Sequence, residues 1–143
     1  MTTHVAAQAK DWYQAHESDV GNLQGVIGYL PAAHGLTLVQ NDTIQMVKIP
    51  LGATVIDVML ETGALGGSTT ASVGDDGDTN RYINAANVAA NSLTRKQQTD
   101  KVGIPTTYAA GTTIDVLLEG DNPADDKAIR LDVLYVNGLD TTP

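Results

Sequence analysis

The densest group of potentially reactive side chains is Ser72-Val73-Gly74-Asp75-Asp76-Gly77-Asp78-Thr79-Asn80-Arg81-Tyr82. Three carboxylates within four positions on a glycine-rich turn offer oxygens of the kind Ca²⁺ collects, about six to eight at a time. The spacing is not that of an EF-hand loop. The plainer expectation is a tight connection in which Asp and Gly adopt turn geometry and Asp78 pairs with Arg81 or caps local N–H groups. Asp75, Asp76 and Asp78 stand as calcium candidates behind that reading. A second acidic loop, Gly120-Asp121-Asn122-Pro123-Ala124-Asp125-Asp126-Lys127, is read the same way, with Asn122-Pro123 as an ordinary turn starter.

Other chemistry is thinly supplied. His4, His16 and His34 all fall in the first quarter of the chain, without the His-x-His or His-Glu-x-x-His spacing that puts two imidazoles on one metal. There is no Gly-x-Ser-x-Gly elbow, Walker loop or dinucleotide fingerprint, and Gly66-Gly67-Ser68 is too short for a phosphate loop. Asp57, Glu61, Asp115 and Glu119 supply carboxylates for glycoside hydrolysis in principle. Such a pair needs a cleft, unlike environments and stacking aromatics, and the chain has one Trp, five Tyr and no Phe. The expectation is no enzyme, no cofactor and no metal. Asn41-Asp42-Thr43 has the form of a glycosylation acceptor, without an export signal to support it.

The elements that carry these acids announce themselves by repetition. Ile56-Asp57-Val58-Met59-Leu60-Glu61 recurs as Ile114-Asp115-Val116-Leu117-Leu118-Glu119, identical at five of six positions, and again as Leu131-Asp132-Val133-Leu134-Tyr135. In an extended chain Ile56, Val58 and Leu60 share one face, while Asp57, Met59 and Glu61 share the other. Each copy therefore predicts a β-strand with an apolar face for the core. The second face sets an acid beside Met59, Leu117 or Leu134, a mixed surface suited to contact with other subunits.

Around them, turn residues punctuate strands predicted at 23–30, 36–39, 43–49, 54–62, 69–73, 81–83, 113–119 and 128–136. About eight strands without convincing helices predict an all-β protein, an antiparallel β-sandwich of jelly-roll type. Within Ile44-Gln45-Met46-Val47-Lys48-Ile49 the apolar phase changes midway, which calls for a bulge or two-sided burial. Residues 85–101 are the longest stretch without a strand signal and read as a protruding or partly helical excursion. Residues 1–21 have diluted helical spacing and read as an N-terminal arm or short helix, with 22–143 as the sandwich domain. In that arm Trp12-Tyr13, the only aromatic pair in the chain, is a candidate anchor to a neighbouring subunit.

At 143 residues the chain suits one domain with an ample core, and the absence of cysteine leaves its redox compartment open. The formal net charge of -9, from 17 acids and 8 bases, argues against a nucleic-acid surface. No apolar run approaches a membrane span, and Met1-Thr2-Thr3-His4 does not open a secretion signal. Neither nucleic acid nor membrane is expected as a partner.

The run from Gly35 through Asp42 and Ile49-Pro50-Leu51-Gly52 to Val58 resembles small structural proteins of tailed-bacteriophage heads, where an Asp-led strand precedes Ile-Pro-x-Gly and another strand. Ser72 to Ile83 and the closing Tyr108-x-x-Gly111-Thr-Thr-Ile-Asp-Val and Leu131-Asp-Val-Leu-Tyr135 are similar in order and spacing. The resemblance implies a capsid decoration, or cement, protein: a jelly-roll unit, often a homotrimer, on the outer face of the virion. It would bridge subunits of the major capsid protein after synthesis in the host cytoplasm, and it implies no catalytic residues. The alternative from another class is a calcium-dependent glycan-binding β-sandwich module using Asp75, Asp76 and Asp78.

Overall fold

A computed structural model describes residues 1–5, 22–95 and 106–138. Among them are ten strands and no helix: β1 (Thr3–Val5), β2 (Leu23–Leu30), β3 (Thr43–Ile49), β4 (Thr54–Thr62), β5 (Thr70–Asp75), β6 (Asp78–Asn87), β7 (Ser92–Arg95), β8 (Thr106–Thr107), β9 (Thr112–Glu119) and β10 (Ile129–Val136). One sheet runs β1-β3-β9-β5-β6 and the other β2-β10-β4-β7, with β8 beside the start of β4. Without β1 and β8, the antiparallel pairs nest like one long hairpin: β2 with β10, β3 with β9, β4 with β7 and β5 with β6. Winding that hairpin into two facing four-stranded sheets produces a jelly roll, as the strand pattern predicts.

The core lies between the sheets and is largely aliphatic. Ile44, Met46 and Ile49 of β3, Val58 and Leu60 of β4, Ile114, Val116 and Leu118 of β9, and Leu131 and Val133 of β10 are all buried. The phase change in β3 is a bulge, since Gln45 faces Asp115 and Val47 faces Ile114, leaving Met46 as the extra residue.

The three similar phrases form β4, β9 and β10, so two copies lie side by side in one sheet and the third lies in the other. One assigned core position differs. Between Asp57 and Val55 the pairing with β10 slips by one residue, which turns Ile56 outward and puts Val55 in the core.

Residues 36–39 form no strand, because local and long-range side chains take up their backbone. Leu38 N–H donates to Asp125, Val39 N–H to Asp42, and Gln40 N–H to Asn122. The expected excursion at 85–101 is also corrected where it is described. β6 continues through Asn87, and Ser92–Arg95 pairs with β4 as a sheet edge. Thr3–Val5 of the expected arm is a parallel edge strand on β3, while Trp12 and Tyr13 lie outside the described residues.

Candidate functional site

The acidic turn is built first by the β5–β6 hairpin. Asp75, 4% exposed, accepts hydrogen bonds through Oδ1 from the N–H groups of Gly77 and Asp78, both at 2.9 Å, which closes the turn. Arg81 reaches the same carboxylate through Nε at 2.7 Å and Nη2 at 3.3 Å, and the Tyr108 hydroxyl donates to Oδ2 at 2.6 Å. Because the Tyr108 proton is committed to Asp75, the Tyr82 hydroxyl donates to Tyr108, at 2.5 Å. Burial pushes the Asp75 carboxyl up in pKa, but the bonds from Arg81 and Tyr108 outweigh it and hold the group below its ordinary value. Arg81 therefore pairs chiefly with Asp75, while Asp78 takes the other expected role and accepts from the Asn80 N–H at 3.4 Å. The chain of Tyr82, Tyr108 and Asp75 ties the segment after β8, beside one sheet, to the hairpin of the other.

Asp76, at the tip, is exposed. Among the described residues no group of three or more His, Asp or Glu side chains is placed to hold a metal ion. The acids proposed as hydrolytic pairs divide between sheets: Asp57 and Glu61 on β4, Asp115 and Glu119 on β9. Asp57 is bound by Arg95, and Glu119 accepts from Ser72.

Of the contact candidates, Met59 and Leu134 come together. The register of β4 and β10 sets Asp132 opposite Met59 and Leu134 opposite Asp57, and β7 brings Arg95 opposite Met59. These residues line a hollow of about 150 Å³ on the outer face of their sheet. Tyr29, Glu61, Leu93 and Arg130 flank a broader cleft of about 550 Å³ on the same sheet. Six of the nine exposed large apolar side chains among the described residues belong to strands of this sheet: Leu23, Ile27, Tyr29, Ile56, Leu93 and Leu134. Exposed ion pairs, Arg130 with Asp132 and Arg95 with Asp57, alternate with them. Such pairs add little stability alone, but they give the surface both signs of charge among apolar groups. Exposed apolar groups interleaved with paired charges on one sheet face have the mixed composition that a contact surface uses. The sequence missed most of it, because Leu93 sits in a polar four-residue strand and Ile27 and Tyr29 alternate with glycine.

Leu117 is separate, on the outer face of the other sheet. It lines a hollow of about 190 Å³ with Asp115, Asp75, Asp76, Thr79, Gln45, Met1 and, from β1, Thr3. Gly74, opposite Asp115, permits this shape: a Cβ there would meet the Asp78 carbonyl oxygen at 2.0 Å. The start of β6 thus folds over the sheet and walls the hollow. β1 forms the other side, held by Asp42, which accepts from Thr2 N–H at 2.9 Å and pairs with His4 at 3.0 Å. Burial raises the Asp42 pKa, but hydrogen bonds from Val39 N–H, His4 and Thr2 N–H more than offset it and hold the group low.

No family model and no curated protein matches the chain. Solved structures do. The chain is similar to one in the capsid of Ralstonia phage GP4, with TM-score 0.71 and 18% identity over 96% of this chain and 99% of that one. A chain of the cyanophage Pam1 capsid asymmetric unit gives TM-score 0.66 and 26% identity over 92% of this chain and 95% of that one. A chain of the acid-stable capsid of Helicobacter pylori bacteriophage KHP30 gives 0.54 and 20% over 80% and 93%. The class is thus a jelly-roll sandwich shared with chains of phage capsids. Each likeness spans nearly the whole of the other chain, so it is not to one module of a much larger subunit.

Proposed function

We propose that this chain is a non-enzymatic structural protein of a phage virion. It decorates the outer face of the head as a homotrimer and stabilises it by bridging neighbouring subunits of the major capsid protein. The observation that carries this reading is the nearly end-to-end likeness to chains of phage capsid structures, together with 26% sequence identity to the Pam1 chain. The molecule also offers what a shell contact uses: a broad sheet face with apolar groups among paired charges. In this reading Met59 and Leu134 lie in one subunit contact and Leu117 in a second, while Trp12 and Tyr13 anchor the N-terminal segment to a neighbour.

The physics suits a lattice. A trimer presents each contact three times, and after the first engages, the others bind at high effective concentration, so individually weak contacts sum to firm attachment. The test is native mass measurement at micromolar concentration combined with co-sedimentation on shells lacking the chain. A trimer that pellets with the shells is expected. A strict monomer that stays in the supernatant overturns the proposal.

A further inference from the structure

Three of the four sheet rims carry features that turn a further strand away. β3 is covered by β1, itself three residues long. β6 has two register shifts against β5, charges at Asp78 and Arg81, and a φ of 49° at Ala85. β7 has four residues and ends on Arg95. β2 has none of these protections. Leu23–Leu30 is eight residues in unbroken register with β10, without a charge or a proline, and no strand among the described residues pairs with its other side. Asn137 N–H donates to the Asn22 carbonyl at 3.1 Å. By alternation the even-numbered residues of β2 exchange hydrogen bonds with β10, and Leu23, Gly25, Ile27 and Tyr29 turn their N–H and C=O groups to the free side.

Gly25 is the second observation. A Cβ there would meet only the end of the Leu134 side chain, at 3.4 Å, and its φ is not positive, so nothing within this chain calls for glycine. Gly28 differs, since a Cβ there would meet the Met46 carbonyl oxygen at 2.7 Å. Glycine weakens a strand and marks a bulge, a bend or the close approach of another chain; the pairing with β10 has no bulge at Gly25, which leaves the approach.

Charge and fit identify the occupant. A net charge of -9 opposes self-association wherever like charges meet. From Val20 to Asn41 there is no Asp, Glu, Lys or Arg, and the nearest charges on the adjoining strand, Arg130 and Asp132, pair with each other at 2.8 Å. β2 is therefore an edge where two copies meet without repulsion. Set antiparallel about an axis through Val26, it also complements itself. Ile27 then faces Gly25 of the second copy, Leu23 faces Tyr29, and the two Val26 side chains face each other, so the bare glycine is filled and three exposed apolar groups gain cover. Pro31, which has no N–H to offer, falls just past the end of the pairing, whereas a register centred on Ile27 would set it opposite Leu23.

We infer that β2 pairs with β2 of a second copy across a two-fold axis, joining their β2-β10-β4-β7 sheets into one through about eight backbone hydrogen bonds. This contact is separate from the three-fold one proposed above. On a shell of trimers it ties neighbours together, but its chemistry does not depend on that role.

The chain has no cysteine, so one introduced thiol reports the pairing. Val26 lies on the axis in a non-hydrogen-bonded pair, with Cα atoms about 4.5 Å apart, inside the range of about 4.4–6.8 Å that a disulfide spans. Under mild oxidation Val26→Cys should form covalent dimers about tenfold faster than Val39→Cys, placed at an exposed position on the loop after β2. Equal rates overturn the inference. Adding Gly25→Lys to Val26→Cys puts a charge on the edge without crowding the fold, and should cut linkage to the Val39→Cys rate with no loss of melting temperature. Ile27→Lys, at a side chain 46% exposed in the single chain, should act likewise; undiminished linkage in both overturns the pairing. Linkage of Val26→Cys to the major capsid protein on undecorated shells, with none between copies, also overturns it and assigns the edge to a shell strand. Native mass keeps the trimer apart: trimers without the Val26→Cys link remove the two-fold pair alone, and linked dimers without trimers support the pair and remove the trimer.

Discussion

Asp75 and Asp115 lie on neighbouring strands of one sheet, 4% and 8% exposed, and their surroundings are opposite. Asp75 has two backbone N–H groups, a guanidinium and a phenol directed at it. Asp115 has one hydrogen bond, from Thr113, a buried oxygen without a partner, and two like charges nearby. The first is held below the ordinary carboxyl range; burial pushes the second up to about 6. Equal depth thus produces a structural clamp in one case and a carboxyl that favours its protonated form in the other. Partners, not burial, separate the two roles.

The sharpest way to break the comparison is Asp75→Ala, which strands Arg81 and Tyr108 and opens the turn. It should cost about 3 kcal/mol, read by urea denaturation. Asp42→Ala tests whether a second satisfied acid behaves alike; with the Val39, Thr2 and His4 bonds lost, about 2 kcal/mol is expected from the same measurement. Tyr108→Phe leaves Asp75 charged but removes one donor and the acceptor of Tyr82, and should lower stability by about 1 kcal/mol.

Asp115→Asn should do the reverse and raise stability at pH 7 by about 1 kcal/mol. The sign follows from its raised pKa. Between 3.8 and about 6 the folded protein holds a proton at Asp115 that the unfolded chain releases, so this group's contribution falls as pH rises across that window. Asp42 and Asp75 act oppositely, since their lowered values make stability fall as pH drops below 3.8. Wild type should therefore be most stable in mild acid. In Asp115→Asn the decline between pH 4 and 6 should be absent from a series of thermal melts.

Much of the sandwich was readable because alternation is a local signal. The apolar faces of β9 and β10 and the bulge in β3 follow from residue order alone. Ile56 was misplaced because a bulge depends on the register with β10, which no single strand records. Leu36–Val39 alternates like a strand, yet His34, Asp125 and Asp42 take the N–H groups of Leu36, Leu38 and Val39. Ser92–Arg95 is a strand because β4 has a free edge beside it, a fact of topology. The Asp75 clamp was half visible: the turn chemistry was plain, but Tyr108 reaches it from 33 residues away. Asp115 looked like its counterparts in the other copies until its place beside the hairpin was known.

The three residues of β1 have a consequence out of proportion to their length. They cover Thr43–Gln45 on the outer hydrogen-bonding row of β3, a stretch that would otherwise stand bare at the rim of its sheet. An uncovered rim of that kind is a template for another strand, and chains produced at high concentration can then stack rim to rim into aggregates. By holding the cover down through Thr2 and His4, Asp42 guards solubility as well as shape.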